Sequence, residues 1–477
     1  MMSKGSPACC SRRQLLQTAA CGFGGLALRA LAQESQPRPA SMAPGGSPRH
    51  LPARAQRVIF LFMQGGPSHV DSFDHKPELT ARDGQILPFD DARILANTGM
   101  RQSAQRLMKP LWEFAPQGEC GKVVSSLFPQ VGALVDDLTF LHGMHTEGVA
   151  HGPATLFLHC GAASFVRPSI GSWIYYGLGT ENQNLPGFVS LAPSLGNGGP
   201  RNYGAAFLPA RFQGTPVGQA GSPELELRNL SHPSRTPAEQ RRQLDLLQEL
   251  NRAQAERVPG DTEAQALIES FELAWRMQQH APDVLDLSQE TAETHALYGI
   301  GEKETDAFGR QCLAARRLCE AGVRYVQATY GDNSANPAWD QHSNLPKHAE
   351  HARACDRPIA GLLIDLKRRG LLDDTLVWWG AEFGRTPYAE KNGTGRDHNP
   401  GGFTMWLAGA GLRPGFSFGA TDEFGFRAVE GKVHMHDLHA TILHLLGLDH
   451  ERLTFHYAGR PFRLTDVHGR VVTEILA

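Results

Sequence analysis

The sequence predicts an α/β fold: a doubly wound, mostly parallel sheet flanked by helices, with one helical insertion. Two observations carry this expectation. Several short apolar runs are each followed by polar sequence rich in Gly or His, as expected of strands buried on both faces of a sheet. Helical patterns with apolar residues at three- and four-residue spacing precede two of those runs, the alternation that builds parallel crossover units.

The first run, Val58 to Met63, ends at Gly65-Gly66-Pro67 and reads as a central strand. Further strands are expected at Leu138 to Leu141, Arg324 to Thr329, Thr375 to Gly380 and Phe403 to Leu407. The helical patterns run from Asp306 to Ala321 and from His348 to Arg369, before the third and fourth strands. Between Pro233 and Leu297, two polar helices, Gln240 to Arg257 and Thr262 to His280, are split by Pro259-Gly260 and read as an inserted hairpin. Asp437 to Leu446 reads as a helix capped by Gly447. Polar residues placed just after parallel strands lie at the carboxyl edge of the sheet, where open α/β proteins bind ligands.

The N-terminus carries a separate message. Ser11-Arg12-Arg13-Gln14-Leu15-Leu16 resembles the twin-arginine export consensus, and an apolar stretch from Thr18 to Leu31 leads to a small-residue site at Ala30-Leu31-Ala32. Residues 1–32 are therefore expected to be a signal peptide cleaved before Gln33, and its apolar run is too short and glycine-rich for a permanent membrane span. Residues 33–56, rich in Pro, Ser, Gly and Ala, read as a flexible leader, and 57–477 as the folded domain. The expected partner is the twin-arginine export machinery, and the expected location is the periplasm or the exterior of a bacterium.

Composition narrows the function classes. A formal net charge of -3 gives no electrostatic reason to expect nucleic acid as a partner. Beyond the signal, five scattered cysteines (Cys120, Cys160, Cys312, Cys319, Cys355) are not a disulfide framework. The 21 histidines are more telling, because many stand in short runs with Asp, Glu or Gly, where imidazole serves as metal ligand or proton carrier.

Four such runs are candidates. After the first strand, Gly65-Gly66-Pro67-Ser68-His69-Val70-Asp71-Ser72-Phe73-Asp74 offers Asp71 as a ligand, with Asp74 suited to a turn cap. After the second, His142 to Thr155 places His142, His145, Glu147 and His151 in an expected loop, and His151 is singled out. After the third, Trp339-Asp340-Gln341-His342 pairs Asp340 with His342, which suits zinc or manganese better than calcium. His348 and His351, on the next helix, are expected to face solvent. After the fourth, Glu382-Phe383-Gly384-Arg385-Thr386-Pro387 leads to Arg396-Asp397-His398-Asn399-Pro400. Glu382, shielded by an apolar strand, needs a cation or an arginine to stay charged. Arg385 suits either Glu382 or a substrate oxyanion, and His398 is the strongest ligand candidate.

These segments, in this order, resemble the metal-binding segments of the alkaline phosphatase and sulfatase superfamily. The resemblance is closer to the bacterial family called domain of unknown function 1501, with Pro168-Ser169-Ile170-Gly171-Ser172-Trp173 and His436-Asp437-Leu438-His439-Ala440-Thr441 also matching. It implies an alkaline-phosphatase-like domain holding one or two divalent metal ions. Asp340, His342 and His398 would form one site and Asp71 with Glu382 another. His151-Gly152-Pro153-Ala154-Thr155 to Gly161 resembles the sulfatase motif, but His151 stands where the modified cysteine belongs, so formylglycine chemistry is excluded there.

Three mechanisms stay open: His151 as a further ligand with water attacking, His151 as nucleophile, or Thr155 or Ser68 as nucleophile. The first is preferred. The expected function is hydrolysis of a phosphate or sulfate ester, of a small molecule or a polysaccharide. The alternative is a catalytically degenerate relative that keeps the metal and acts in binding or secretion.

Overall fold

The computed structural model describes residues 49–86, 106–227, 232, 234–257, 262–389 and 394–477. The signal peptide and residues 33–48 of the leader lie outside the described residues. Among the described residues, no helix is long and apolar enough to cross a membrane.

A nine-stranded sheet forms the centre of the molecule. In chain order its strands are β1 (Arg57–Met63), β2 (Leu138–His145), β3 (Phe188–Leu191), β4 (Thr215–Val217), β5 (Tyr325–Tyr330), β6 (Thr375–Gly380), and then, after a small hairpin of β7 (Gly384–Ala389) and β8 (Arg396–Asn399), β9 (Phe403–Ala408), β10 (Phe416–Phe418) and β11 (Val433–His434). The order across the sheet is β10-β2-β9-β6-β1-β5-β3-β4, with β11 also beside β2. All pairings are parallel except those of β9, which runs antiparallel to both β2 and β6.

That single reversed strand has a geometric consequence. Two antiparallel steps restore direction, so β2 points the same way as β6, β1 and β5. The carboxyl ends of these four strands therefore share one edge with the amino end of β9. Strand β1 is the midpoint, and Val58 to Leu61 are 0% exposed because both faces are covered. Phe60 stacks on Trp378 of β6 with ring centroids 3.7 Å apart, which locks β1 to its neighbour beyond the ladder of hydrogen bonds.

Among the described residues, seven longer helices accompany the sheet: α1 (His151–Cys160), α2 (Ile170–Leu178), α3 (Pro237–Arg257), α4 (Thr262–Leu285), α5 (Asp306–Glu320), α6 (His348–Arg368) and α7 (Met435–Leu445). The expected helices match α5, α6 and α7 closely, and the expected hairpin is α3 and α4. Strands β3 and β4 are too short for a clear apolar period and escaped the sequence reading. His142 and His145, expected in a loop, lie on β2 instead, and His151 opens α1. Polar histidines mark a strand end in sequence terms, whereas pairing with β9 and β11 carries β2 further.

One buried carboxylate ties a helix to the fold. Asp356 on α6 accepts the backbone N–H groups of Gln130 and Val131 at 2.9 and 2.8 Å, and burial pushes its pKa up to about 6 against those bonds. A carboxyl group with a raised folded pKa favours folding when protonated, so its contribution falls between about pH 4, the ordinary aspartate value, and the folded pKa. We expect Asp356→Asn to remove this slope: the difference in urea midpoint between variant and parent should change across that window and be flat above it. Parallel pH profiles would show the assignment to be wrong.

Candidate metal centre

Four side chains from three separate parts of the chain meet at the shared edge. One ligand atom each from His151, Asp340, His342 and His398 lies within 4.8 Å of all the others. His151 comes from the first turn of α1 after β2, Asp340 and His342 from the loop after β5, and His398 from β8 just before β9. The sheet topology above explains why segments so distant in sequence converge.

Asp340 is the hub. One carboxylate oxygen, Oδ1, lies 2.9 Å from His342 Nε2, 3.2 Å from His398 Nε2 and 2.7 Å from Arg385 Nη2. The other, Oδ2, lies 3.1 Å from His151 Nε2. Burial alone would raise the Asp340 carboxyl, but bonds from the three histidines and the charge of Arg385 hold it far below the usual carboxylate range. It is a buried, fixed negative charge.

Two of the three imidazoles are oriented by a hydrogen bond from the second nitrogen, and the third turns its own toward a carboxylate. His398 Nδ1 donates to Val149 O at 2.9 Å, so in the neutral ring Nε2 carries a lone pair aimed at the cluster. His151 Nδ1 donates to Glu382 Oε1 at 2.7 Å, and His342 Nδ1 lies 3.7 Å from Asp397 Oδ1. Metal-ligating histidines characteristically give their second N–H to a carboxylate or a carbonyl. His342 Nε2 and His398 Nε2 are 3.0 Å apart. Together with Asp340 Oδ1 they form a triangle of electron-rich atoms that only a shared proton or a cation can hold this close. Three nitrogens and one carboxylate oxygen fit a zinc-type donor set.

The imidazoles of His398 and His151 are shifted in opposite directions. Burial, aided by Arg385 and His151, pushes His398 down to about 4 against the pull of Asp340. It is therefore neutral at pH 7. Burial also acts to lower His151, but Asp340 and Glu382 outweigh it and raise the pKa above the ordinary histidine value.

Glu382 and Arg385 support the cluster from behind. Glu382, 0% exposed, accepts the Gly65 N–H at 3.0 and 3.2 Å through its two oxygens and holds His151. Its partners are this amide and His151, rather than the expected arginine or Asp71 in a second metal site. Arg385, also fully buried, donates to Gly66 O, Gly65 O, Arg396 O and Asp340. Four of its five N–H groups are used within the protein, and Asp340 rather than Glu382 is the carboxylate it holds.

Asp71, Thr155 and His348 also differ from expectation. Asp71 does not join the four: its Oδ2 takes Arg396 Nε at 2.7 Å and Ser68 Oγ, and its Oδ1 takes the Leu111 N–H at 3.1 Å. A shared second site with Glu382 is therefore not assembled. The partner Arg396 was missed, although an arginine beside Asp397-His398 was visible; nothing local indicated that its mate lay 325 positions away. Thr155 sits one turn beyond His151 on α1, 0% exposed and with its Oγ1 unpartnered, and is not among the four. His348, expected to face solvent, is buried and accepts the Ser68 N–H at 3.1 Å.

Gly65 makes the convergence possible. Its φ of +110° is costly for a side chain, and a Cβ there would stand 2.7 Å from the backbone nitrogen of Asp340. We expect Gly65→Ala to lower stability by about 1–3 kcal/mol and to weaken divalent-metal binding at the same time, read by urea unfolding and metal titration. Parent-like values in both would refute this role.

The model of the family described as "Protein of unknown function (DUF1501)" matches residues 55–476. A search of the curated proteins found no match. Among solved structures, the chain is similar to Ps i-CgsB in complex with k-i-k-neocarrahexaose, at 13% identity and TM-score 0.36, covering 82% of this chain and 72% of that one. It is also similar to a mutant TAB5 alkaline phosphatase with Mg bound, at 11% identity and TM-score 0.34, covering 83% and 99%. The lipoteichoic acid synthase LtaP from Listeria monocytogenes gives 10% identity and TM-score 0.34, covering 88% and 78%.

Proposed function

The chain belongs to the DUF1501 family, and on that premise we propose that it is an exported, metal-dependent hydrolase of phosphate or sulfate esters. The observation that supports this reading is the convergence of His151, His342 and His398 on the Asp340 carboxylate, with second nitrogens turned to Glu382, Asp397 and Val149 O. These four residues would hold one divalent ion, and three nitrogen donors favour zinc or manganese over calcium. When bound, such an ion supplies Lewis-acid polarisation of an ester oxygen and lowers the pKa of a water toward neutrality.

The chain's own groups do the rest. Arg385 fixes the Asp340 carboxylate and balances its charge, acting as a positioning residue. Glu382 accepts the His151 Nδ1–H and so fixes the tautomer and ring plane that leave Nε2 to face the cluster, where the proton to be released before ligation lies toward Asp340 Oδ2. Phe383, its ring centroid 4.4 Å from that of His398 and 5.0 Å from that of His151, keeps bulk water from one side of the cluster.

Attack by water is preferred over His151 or Thr155 as nucleophile, because His151 is committed to Asp340 and Glu382 and Thr155 is enclosed in α1. The substrate would be a small-molecule or polysaccharide ester, and Arg12-Arg13 would direct export through the twin-arginine machinery to the periplasm or beyond.

A second reading is a catalytically degenerate member that binds metal in a binding or secretion-associated role. The engagement of Arg385 within the protein favours it, since four of its five N–H groups are already used and little of the guanidinium is left for an oxyanion.

Metal analysis followed by a screen of phosphate and sulfate esters separates the two. We expect bound divalent metal and turnover of at least one ester class, with His398→Ala lowering turnover at least about a hundredfold and Glu382→Gln weakening metal affinity about 10–100-fold. Bound metal without turnover on any ester supports the degenerate reading, and a protein that binds no divalent metal refutes both.

A further inference from the structure

We propose that the outer face of α3 is a self-association surface, along which two copies of this chain pair antiparallel. Helix α3 has two distinct faces. The inner one packs on α4: Gln248 is fully buried and donates to Ile268 O at 2.8 Å, and Arg241 pairs with Asp245 on its own helix and Glu272 on α4. The outer one carries Glu239, Gln243, Leu246, Leu250, Ala253 and Arg257, all exposed. Their spacing alternates four and three residues, the seam period of paired helices.

The middle of that seam is apolar and uncovered. Leu246 and Leu250 are 59% and 61% exposed, and the adjoining Leu247 is 37% exposed. The three border a groove of about 400 Å³ whose opposite wall includes Phe271 and Trp275 of α4. Leaving three leucines uncovered beside half-buried aromatic rings is unfavourable in an isolated helix hairpin, and a partner that fills the groove removes the cost.

Charge placement identifies that partner as a second copy in reversed direction. If two α3 helices cross antiparallel about position 248, Leu246 of one opposes Leu250 of the other and Glu239 opposes Arg257. On the flanks Arg242 meets Glu256, and Leu247 meets its own counterpart. A parallel arrangement would set the seam charges Glu239 and Arg257 against their own counterparts and would separate Arg242 from Glu256. Arg242 and Glu256 have no ion-pair partner within the chain among the described residues, unlike Arg241 on the inner face. One contact opposes the pairing: Glu249 meets its counterpart near the two-fold axis.

Sedimentation of the purified chain across the micromolar range tests this. A reversible dimer is expected, and Leu246→Glu with Leu250→Glu should render it monomeric. Arg242→Glu or Glu256→Arg alone should raise the dissociation constant by roughly tenfold, the two together should restore it, and Glu249→Gln should tighten it. A chain that stays monomeric throughout overturns the proposal. So does a dimer indifferent to the leucine changes, or a double reversal that fails to recover.

Discussion

The Asp340 carboxylate is the constraint around which the rest of the site is arranged. It is a buried negative charge, and burying a charge is unfavourable unless partners surround it. Here those partners are a guanidinium and three imidazoles, drawn from the segments that follow β2, β5 and β6 or precede β9. Removing any one leaves the others facing an undercompensated charge, so the cluster behaves as a unit rather than as a sum of pairs.

The sheet provides the geometry that makes such a unit possible. Parallel neighbours β6, β1 and β5 deliver three loops to one edge, and the reversed β9 adds His398 from its amino side while carrying β2, and hence His151, back into the same orientation. Close approach of the loops then depends on backbone contacts with no side chain between them. Gly65 lies against the backbone of Trp339 and Asp340, and its N–H reaches Glu382. The same strand end thus spaces the Asp340 loop and orients the carboxylate that holds His151.

Much of this was legible in the amino-acid sequence, for definable reasons. Fully buried parallel strands are apolar throughout, so β1, β5, β6 and β9 stood out, and polar residues directly after them were natural site candidates. Asp340, His342, His398 and His151 were all reached in this way. What could not be read were partnerships formed across hundreds of residues. Asp71 looked like a ligand because its neighbours were polar, yet Arg396 occupies it. Arg385 looked available because nothing local to it is acidic except Glu382, yet Asp340 and three carbonyl groups engage it. Glu382 was correctly seen to need compensation, which comes from the Gly65 amide and His151 rather than from an arginine. In each case the residue type signalled a buried charge, but only the fold selects its mate.

The account rests on a cation being the natural occupant of the space between three imidazole nitrogens and one carboxylate. Anomalous diffraction at the zinc absorption edge, from crystals grown with zinc, tests that most directly. The account predicts one strong peak within about 2.0–2.2 Å of a nitrogen of each of His151, His342 and His398 and of an Asp340 oxygen. A fully occupied peak elsewhere, or none at this cluster, would contradict it.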